Sequence, residues 1–392
     1  MISVHEARKL LADFRLETEE EELVLGKSAG RILSRPVIAP LPHPFFDQTA
    51  VDGYAFRYSD WKEDKLLKLV GETPAGDKAY EGLEEGEAIR IFTGAPIPLE
   101  ADTVVMQEYT NKKEGQVLIN PHKFVKGSNI RLKGEHLSVG DEVLAKGHLI
   151  NENSIGLLAS LGVGNVNVNK KPDVGIVVTG DEFASGAKPE PGQIFESNGI
   201  MLSKAFEKHA CQSQVLFSKD NEAVLKSTIL KALETNDLLC VTGGVSVGDY
   251  DFTPKVLEDL GFETIFHKLT QKPGKPLLFA RKGKKLAFGL PGNPRSVMIC
   301  FYQYILPLII RSLGMRADMN KALIGLAHDF TKKGDGKTHF LAGRFERSKV
   351  HILGGQASHM LKTLAEANVL VEFGPEKNSW SEFEKVPCLF IS

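Results

Sequence analysis

LLCVTGGVSVGDYDFTP, residues 238–254, runs from an apolar segment through three glycines and two acids to a Thr-Pro pair suited to a helix start. Strand, glycine loop and helix in succession form the unit of a parallel sheet covered on both faces. The same grammar extends outward on either side. VGIVV (174–178) precedes TGDE, QVLF (214–217) precedes SKD, and LAFGL (286–290) precedes PGNP. Asn198, Asp220, Thr253 and Asn293 stand where helix caps are expected. Their helices would run to about His209, to Glu234, to a stop before Gly261, and onward from Pro294. Residues 171–318 are therefore expected to form a doubly wound, mostly parallel α/β domain.

Around this unit the texture changes. Ser3 and Glu6 have the reciprocal spacing of a capping box, followed by Ala7, Leu10, Leu11 and Phe14 at helical intervals. The acidic stretch Glu17 to Glu22 reads as a solvated face, and a second helical pattern covers Asn153 to Leu161. Together, 1–32 and 148–170 would make a helical linking domain. Residues 33–147 break into short β-type runs between Gly and Pro, which predicts a β-rich insertion domain. Residues 319–392 read as a small C-terminal β domain with one helical piece near Leu361 to Ala367.

The bulk composition excludes several function classes. A chain of 392 residues exceeds what one core sustains, so a multidomain protein is expected. A net charge of -2 gives no electrostatic footprint for nucleic acid. Cys211, Cys240, Cys300 and Cys388 are far apart with no C-x-x-C pair, the pattern of buried free thiols. MISVHEARKLLADF lacks an apolar signal core, so a cytosolic protein is expected. The run Val297 to Ile310 contains Gln303 and Pro307 and is too short for a membrane span; it reads as a buried helix. Eleven histidines include no H-E-x-x-H, and no G-x-S-x-G elbow is present.

Chemistry is expected outside the carboxyl ends of the parallel strands. Thr179 to Glu182, Ser218 to Asp220, Thr242 to Asp251 and Pro291 to Pro294 all emerge there. Gly243, Gly244 and Gly248 let backbone amides approach an anion. Asp249, Asp251 and Glu182 supply the hard oxygens that suit Mg2+, although turn fixing and capping explain each carboxylate taken singly. QKPGKP (271–276) presents Lys272 and Lys275 on a turn stiffened by two prolines, an arrangement for an oxyanion. In the β-rich region Asp47, Asp52, Thr93, Arg131 and Glu135 can do chemistry, but their spacing specifies no reaction.

Taken in order, FDQTAVDGYAFR (46–57), IRIFTGAPIP (89–98), ADTVVMQE (101–108), NIRLKGE (129–135), VVTGDE (177–182), IFESNG (194–199), VTGGVSVGDYD (241–251), KPGKP (272–276), GLPGNP (289–294) and GGQASH (354–359) resemble the molybdopterin molybdenumtransferase family over nearly the whole chain. The resemblance implies an elongated homodimer of four-domain subunits, in which the α/β domain of one faces the β-rich domain of the other. Its implied reaction cleaves adenylyl-molybdopterin, releases AMP and places molybdate on the pterin dithiolene, assisted by Mg2+. Transient contacts with the adenylyltransferase and with molybdoenzymes are implied as well, and none with nucleic acid or membrane. Carried over by motif, Asp52, Thr93, Arg131, Glu135, Glu182 and Asp220 would be catalytic. Gly243, Gly244, Ser246, Gly248, Lys272, Lys275, Pro291, Gly292, Asn293, Pro294, Arg344 and Ser358 would bind substrate, and Glu182, Asp249 and Asp251 the metal.

Two positions depart from the family pattern. Gly134-Glu135-His136 has an imidazole where a carboxylate is usual, and THFLAGRFE (338–346) has Ala342 where an arginine is expected, with Arg344 two residues on. Competing readings are a molybdopterin adenylyltransferase, which resembles 172–314 alone, and a non-catalytic gephyrin-like scaffold of the kind that clusters membrane receptors.

Overall fold

The computed structural model describes residues 1–121, 123–209, 211–245, 251–315 and 321–391. Its central sheet has the order Gln212–Ser218, Asp173–Thr179, Leu238–Thr242, Lys285–Leu290, Leu278–Lys282, Glu263–His267. The first four strands are parallel and the last two join antiparallel. The edge hairpin is the part that an alternation of strands and helices does not announce, because its two strands are separated by the QKPGKP turn rather than by a helix.

Period-two alternation divides these strands between two cores. Ile176, Val178, Leu238, Cys240, Leu286 and Phe288 pack to one side, with Asn198–Lys208 and the helical run that begins at Pro294. Val177, Leu239, Val241, Leu278, Ala280 and Ala287 pack to the other, under Glu222–Thr235 and Thr253–Asp259. Apolar residues on both faces of each strand are what a sheet covered twice requires.

Three expected caps have other uses. Asn221, not Asp220, caps Glu222–Thr235 by accepting from the amides of Ala223 and Val224. Thr253 lies inside its helix, buried, and its hydroxyl donates to Gly243 O (3.1 Å). Asn198 opens Asn198–Lys208 but turns its side-chain amide to Gly292 O (2.8 Å). Asn198 and Thr253 reach across to strand-end loops and Asp220 to the strand-end Thr179, partners as good as the helix offers.

The run expected as one buried helix is buried but not regular. It divides into Pro294–Cys300, a π-helical turn Phe301–Ile305, and Leu306–Ser312. The break falls just before Pro307, which has no amide for an unbroken ladder. It turns Gln303 and Tyr304 inward, where Gln303 accepts from Arg8 and the Tyr304 hydroxyl donates to Gln271.

The helix Val4–Ala12 forms with its capping box intact and packs through Val4, Ala7 and Leu11 on the α/β core. The second helix, Glu152–Ser160, packs elsewhere, on a cluster that includes Leu33, Ile150, Val166 and Val168. Within the acidic stretch, Glu20–Val24 is a strand rather than a featureless solvated face, paired antiparallel with Asn165–Asn169. Arg31 and Arg35 neutralise its Glu21 and Glu20. The β-rich region holds a six-stranded sheet. In the C-terminal region Thr338–Glu346 pairs with both Lys349–Ile352 and Val369–Phe373. With Lys321–Leu326 and Lys385–Phe390 these strands close a ring around Ile324, Leu341, Val371 and Trp380.

One stability prediction arises here. Burial pushes the imidazole of His209, at the end of Asn198–Lys208, down to about 4, and the charge of Lys208 acts in the same direction. A histidine held neutral contributes stability that is complete above its ordinary value of 6.5 and is lost as pH falls towards 4. Discounted for its partial exposure, that contribution is roughly 1–2 kcal/mol. His209→Gln is expected to flatten the fall in Tm between those two pH values, read by thermal unfolding.

Candidate active site

Outside the carboxyl ends of the parallel strands lies a cavity of about 1010 Å³. Thr179, Glu182, Asp220, Gly243, Gly244, Asp251, Pro291, Gly292 and Asn293 reach it from the four strand-end loops. Lys272 and Lys275 reach it from the QKPGKP turn, and Ser358 from the C-terminal barrel. Carboxylates thus come from the sheet, and ammonium groups from the turn and, through Lys337, from the C-terminal barrel. A ligand with both a metal-seeking phosphate and a separate oxyanion fits that division.

The loop after Leu238–Thr242 is held by close backbone packing. Gly243 has φ +96°, and a Cβ there would lie 2.7 Å from Thr179 O. Its amide donates to Leu290 O (3.1 Å), so Gly243 joins two strand ends rather than offering its own N–H. Ser246, Gly248 and Asp249 lie outside the described residues. Asp220 accepts from the hydroxyl of Thr179 (2.7 Å), and Glu182 folds back over Gly180, whose Cβ would meet its Oε2 at 2.3 Å. Thr242 Oγ1 and Asn198 Oδ1 are buried without a partner among the described residues.

For Mg2+, the donors available are the carboxylates of Glu182, Asp220 and Asp251. Among the described residues no three metal-ligating side chains gather into a closed cage. Mg2+ is usually held by one or two carboxylates together with substrate phosphates, so this open acidic rim fits it.

The β-rich nodes meet each other, away from the cavity lining. Asp52 Oδ1 accepts from the amide (2.8 Å) and the hydroxyl (2.7 Å) of Thr93. Those bonds, the backbone one foremost, hold its carboxyl below the usual carboxylate range. Arg131 pairs with Gln48 across a short ladder. Glu135 accepts from Leu132 N (2.9 Å) within its own turn, while Asp47 takes Lys133 N (2.7 Å). His136 packs its ring edge-on to His43. Pro294 begins its helix behind the lining.

Arg344 donates to Glu366 O (3.0 Å), also outside the lining. Alternation along Thr338–Glu346 instead brings His339 and Leu341 to the cavity, with Lys337 just ahead of that strand. Together with Gln271, Ser296 and Gln356 these went unread in the sequence, although a period-two reading of KTHFL would have found the first three.

Profile comparison matches residues 2–162 to "MoeA N-terminal region (domain I and II)" and residues 175–311 to "Probable molybdopterin binding domain". The chain is 34% identical over 395 residues to a molybdopterin molybdenumtransferase of Haemophilus influenzae, covering 98% of each protein. It is 34% identical to one of a Nostoc species, covering 91% of this chain and 86% of that relative. In structure it is similar to the molybdopterin biosynthesis moeA protein of Pyrococcus horikoshii OT3, with a TM-score of 0.87, 28% identity and the full length of both chains covered.

Proposed function

Because the chain belongs to the molybdopterin molybdenumtransferase family and is a transferase of molybdenum cofactor synthesis, we propose that its cavity binds adenylyl-molybdopterin and molybdate and joins them with release of AMP. The observation that carries this reading is the meeting of three carboxylates and two turn-held lysines in one cavity. Coverage of 98% of the Haemophilus influenzae relative takes in the flanking regions, which an adenylyltransferase resembling 172–314 alone would lack.

In this reading Glu182 and Asp251 hold Mg2+, with Asp249 as a further ligand. When bound, the ion neutralises charge on the phosphoanhydride as it is cleaved. Asp220, oriented by Thr179, fixes the acidic rim. Gly244, Ser246 and Gly248 offer the amides for phosphate, with Pro291, Gly292 and Asn293 as the facing wall and Pro294 fixing the helix start behind them. Lys272 and Lys275 hold molybdate, a compact dianion that fixed point charges suit. Tungstate is nearly isosteric and suits the same groups.

We assign Asp52, Thr93, Arg131 and Glu135 to the cavity of a second subunit in a cytosolic homodimer. Exposed Phe45, Phe46, Leu132 and Val139 beside those residues, and exposed Ile194, Phe195 and Phe217 on the α/β unit, support an interface. No described helix is long and apolar enough to cross a membrane. The domain division proposed is 1–32 with 148–170, 33–147, 171–318 and 319–392; separate apolar clusters for the β-rich region and the barrel support it, whereas Val4, Ala7 and Leu11 join the α/β core rather than the cluster under Glu152–Ser160.

Purified protein given adenylyl-molybdopterin, molybdate and Mg2+ is expected to release AMP and yield cofactor that activates an apo-molybdoenzyme. Chelation of divalent cations should abolish both products. Absence of AMP release with every component present would overturn the assignment.

A further inference from the structure

Arg295 is wholly buried, yet among the described residues no carboxylate pairs with it. Its Nη1 donates to Gly355 O (3.2 Å) and, at longer range, to Ala357 O (3.4 Å); its Nη2 donates to Gln356 Oε1, and its Nε has no described partner. Burial lowers its proton affinity, but a guanidinium remains charged near neutral pH. A buried cation facing only neutral oxygens is costly unless something else compensates it.

The loop above it borders the cavity through Gln356, Ala357 and Ser358. In a trans peptide the N–H points opposite to the preceding carbonyl. The oxygens of Gly355 and Ala357, which also accept from Thr363 Oγ1 (2.8 Å) and Met360 N (3.0 Å), face Arg295, and the amides of Gln356 and Ser358 therefore turn away from it. Two alternate amides turned to one side, with the Ser358 hydroxyl beside them, are donors that an anion at the cavity rim can use. Gln356 is gripped from its other side too: its Nε2 donates to Ala342 O (2.9 Å) and Leu353 O (2.6 Å), and its Oε1 accepts from Ala342 N (3.1 Å).

We propose that Arg295 is a positioning residue for an oxyanion subsite built from the amides of Gln356 and Ser358 and the Ser358 hydroxyl, facing Lys272 and Lys275. The inference rests on the reading that the cavity takes molybdate. Charge that the family pattern leads one to expect at position 342 is delivered instead from the helix after PGNP, beneath the glutamine that Ala342 holds.

The test is the molybdate dependence of AMP release by the full-length protein, with inorganic molybdate binding followed in parallel by thermal shift. Arg295→Gln is expected to raise the KM for molybdate about tenfold or more, keep kcat at saturating molybdate within about threefold, and shrink the molybdate-induced rise in Tm. Arg295→Lys, which keeps the charge but not the fork, should raise KM by about threefold. A folded Arg295→Gln protein with KM within about twofold of wild type overturns the inference. If that variant does not fold, an unchanged KM in Arg295→Lys overturns it equally. Wild-type protein without any molybdate-dependent AMP release overturns the underlying reading of the cavity before the variants are compared.

Discussion

Lys272→Ala is expected to lower molybdate insertion by about 10²–10³-fold, the cost of removing one fixed charge from a site where charge is handled. Lys272 is exposed, carries no structural ion pair among the described residues, and stands where Gln271–Lys272 pairs with Thr338 and His339 of the barrel. Tm should therefore move little while turnover collapses. The partner experiment uses Asp52→Ala, whose carboxylate is tied to Thr93 in the β-rich sheet and does not line the cavity of its own chain. If each cavity takes its lysine from one subunit and its Asp52 from the other, two inactive variants can complement. In a Lys272→Ala/Asp52→Ala heterodimer one cavity carries both lesions and the other neither. Activity of about half the wild-type dimer is then expected from subunit counting alone. A heterodimer as inactive as both parents would show that Asp52 serves its own chain.

Gly243→Ala should damage stability and turnover together. Its φ of +96° is one that an L side chain adopts only with strain, and its Cβ would press on the backbone oxygen of Thr179, which cannot swing aside as a side-chain tip can. A loss of roughly 2–4 kcal/mol is expected from the two effects combined. Relief would move the loop that carries Asp251, so AMP release should fall by about tenfold or more. Gly292→Ala is the internal control: no heavy atom lies within 4 Å of its Cβ position, and its φ is not positive. Denaturant unfolding should separate the two glycines clearly, and equal stability of both variants would contradict this account of the loop.

The α/β unit was legible because its strands are apolar on both faces and its glycine loops fall at the strand ends. Legibility stopped where one residue type serves two purposes. Asp220, Thr253 and Asn198 all look like caps to a local reading, and each is used across a loop instead. The barrel contribution was half visible: Ser358 came from a motif, whereas Lys337 and His339 stand at alternate positions whose cavity-facing side is decided only when Thr338–Glu346 pairs with distant segments. Arg295 gave no sequence signal, since an arginine after PGNP reads as an ordinary surface residue until the loop at Gly355–Ala357 is seen to close over it.

The β-rich region is entered after the strand Glu20–Val24 and left before its partner Asn165–Asn169. On the ribosome, the helix Val4–Ala12 emerges long before any strand of the core it packs on. Its apolar stripe, Val4, Ala7 and Leu11, must stay unclaimed while the whole inserted region is synthesised. That region can complete its own sheet in the meantime, since its pairings are internal. Order of synthesis thus favours an insertion that folds first and a parent that closes around it afterwards. A circular permutant opened within the insertion would reverse that sequence of events while keeping the packing of Val4, Ala7 and Leu11 on the core as its end point.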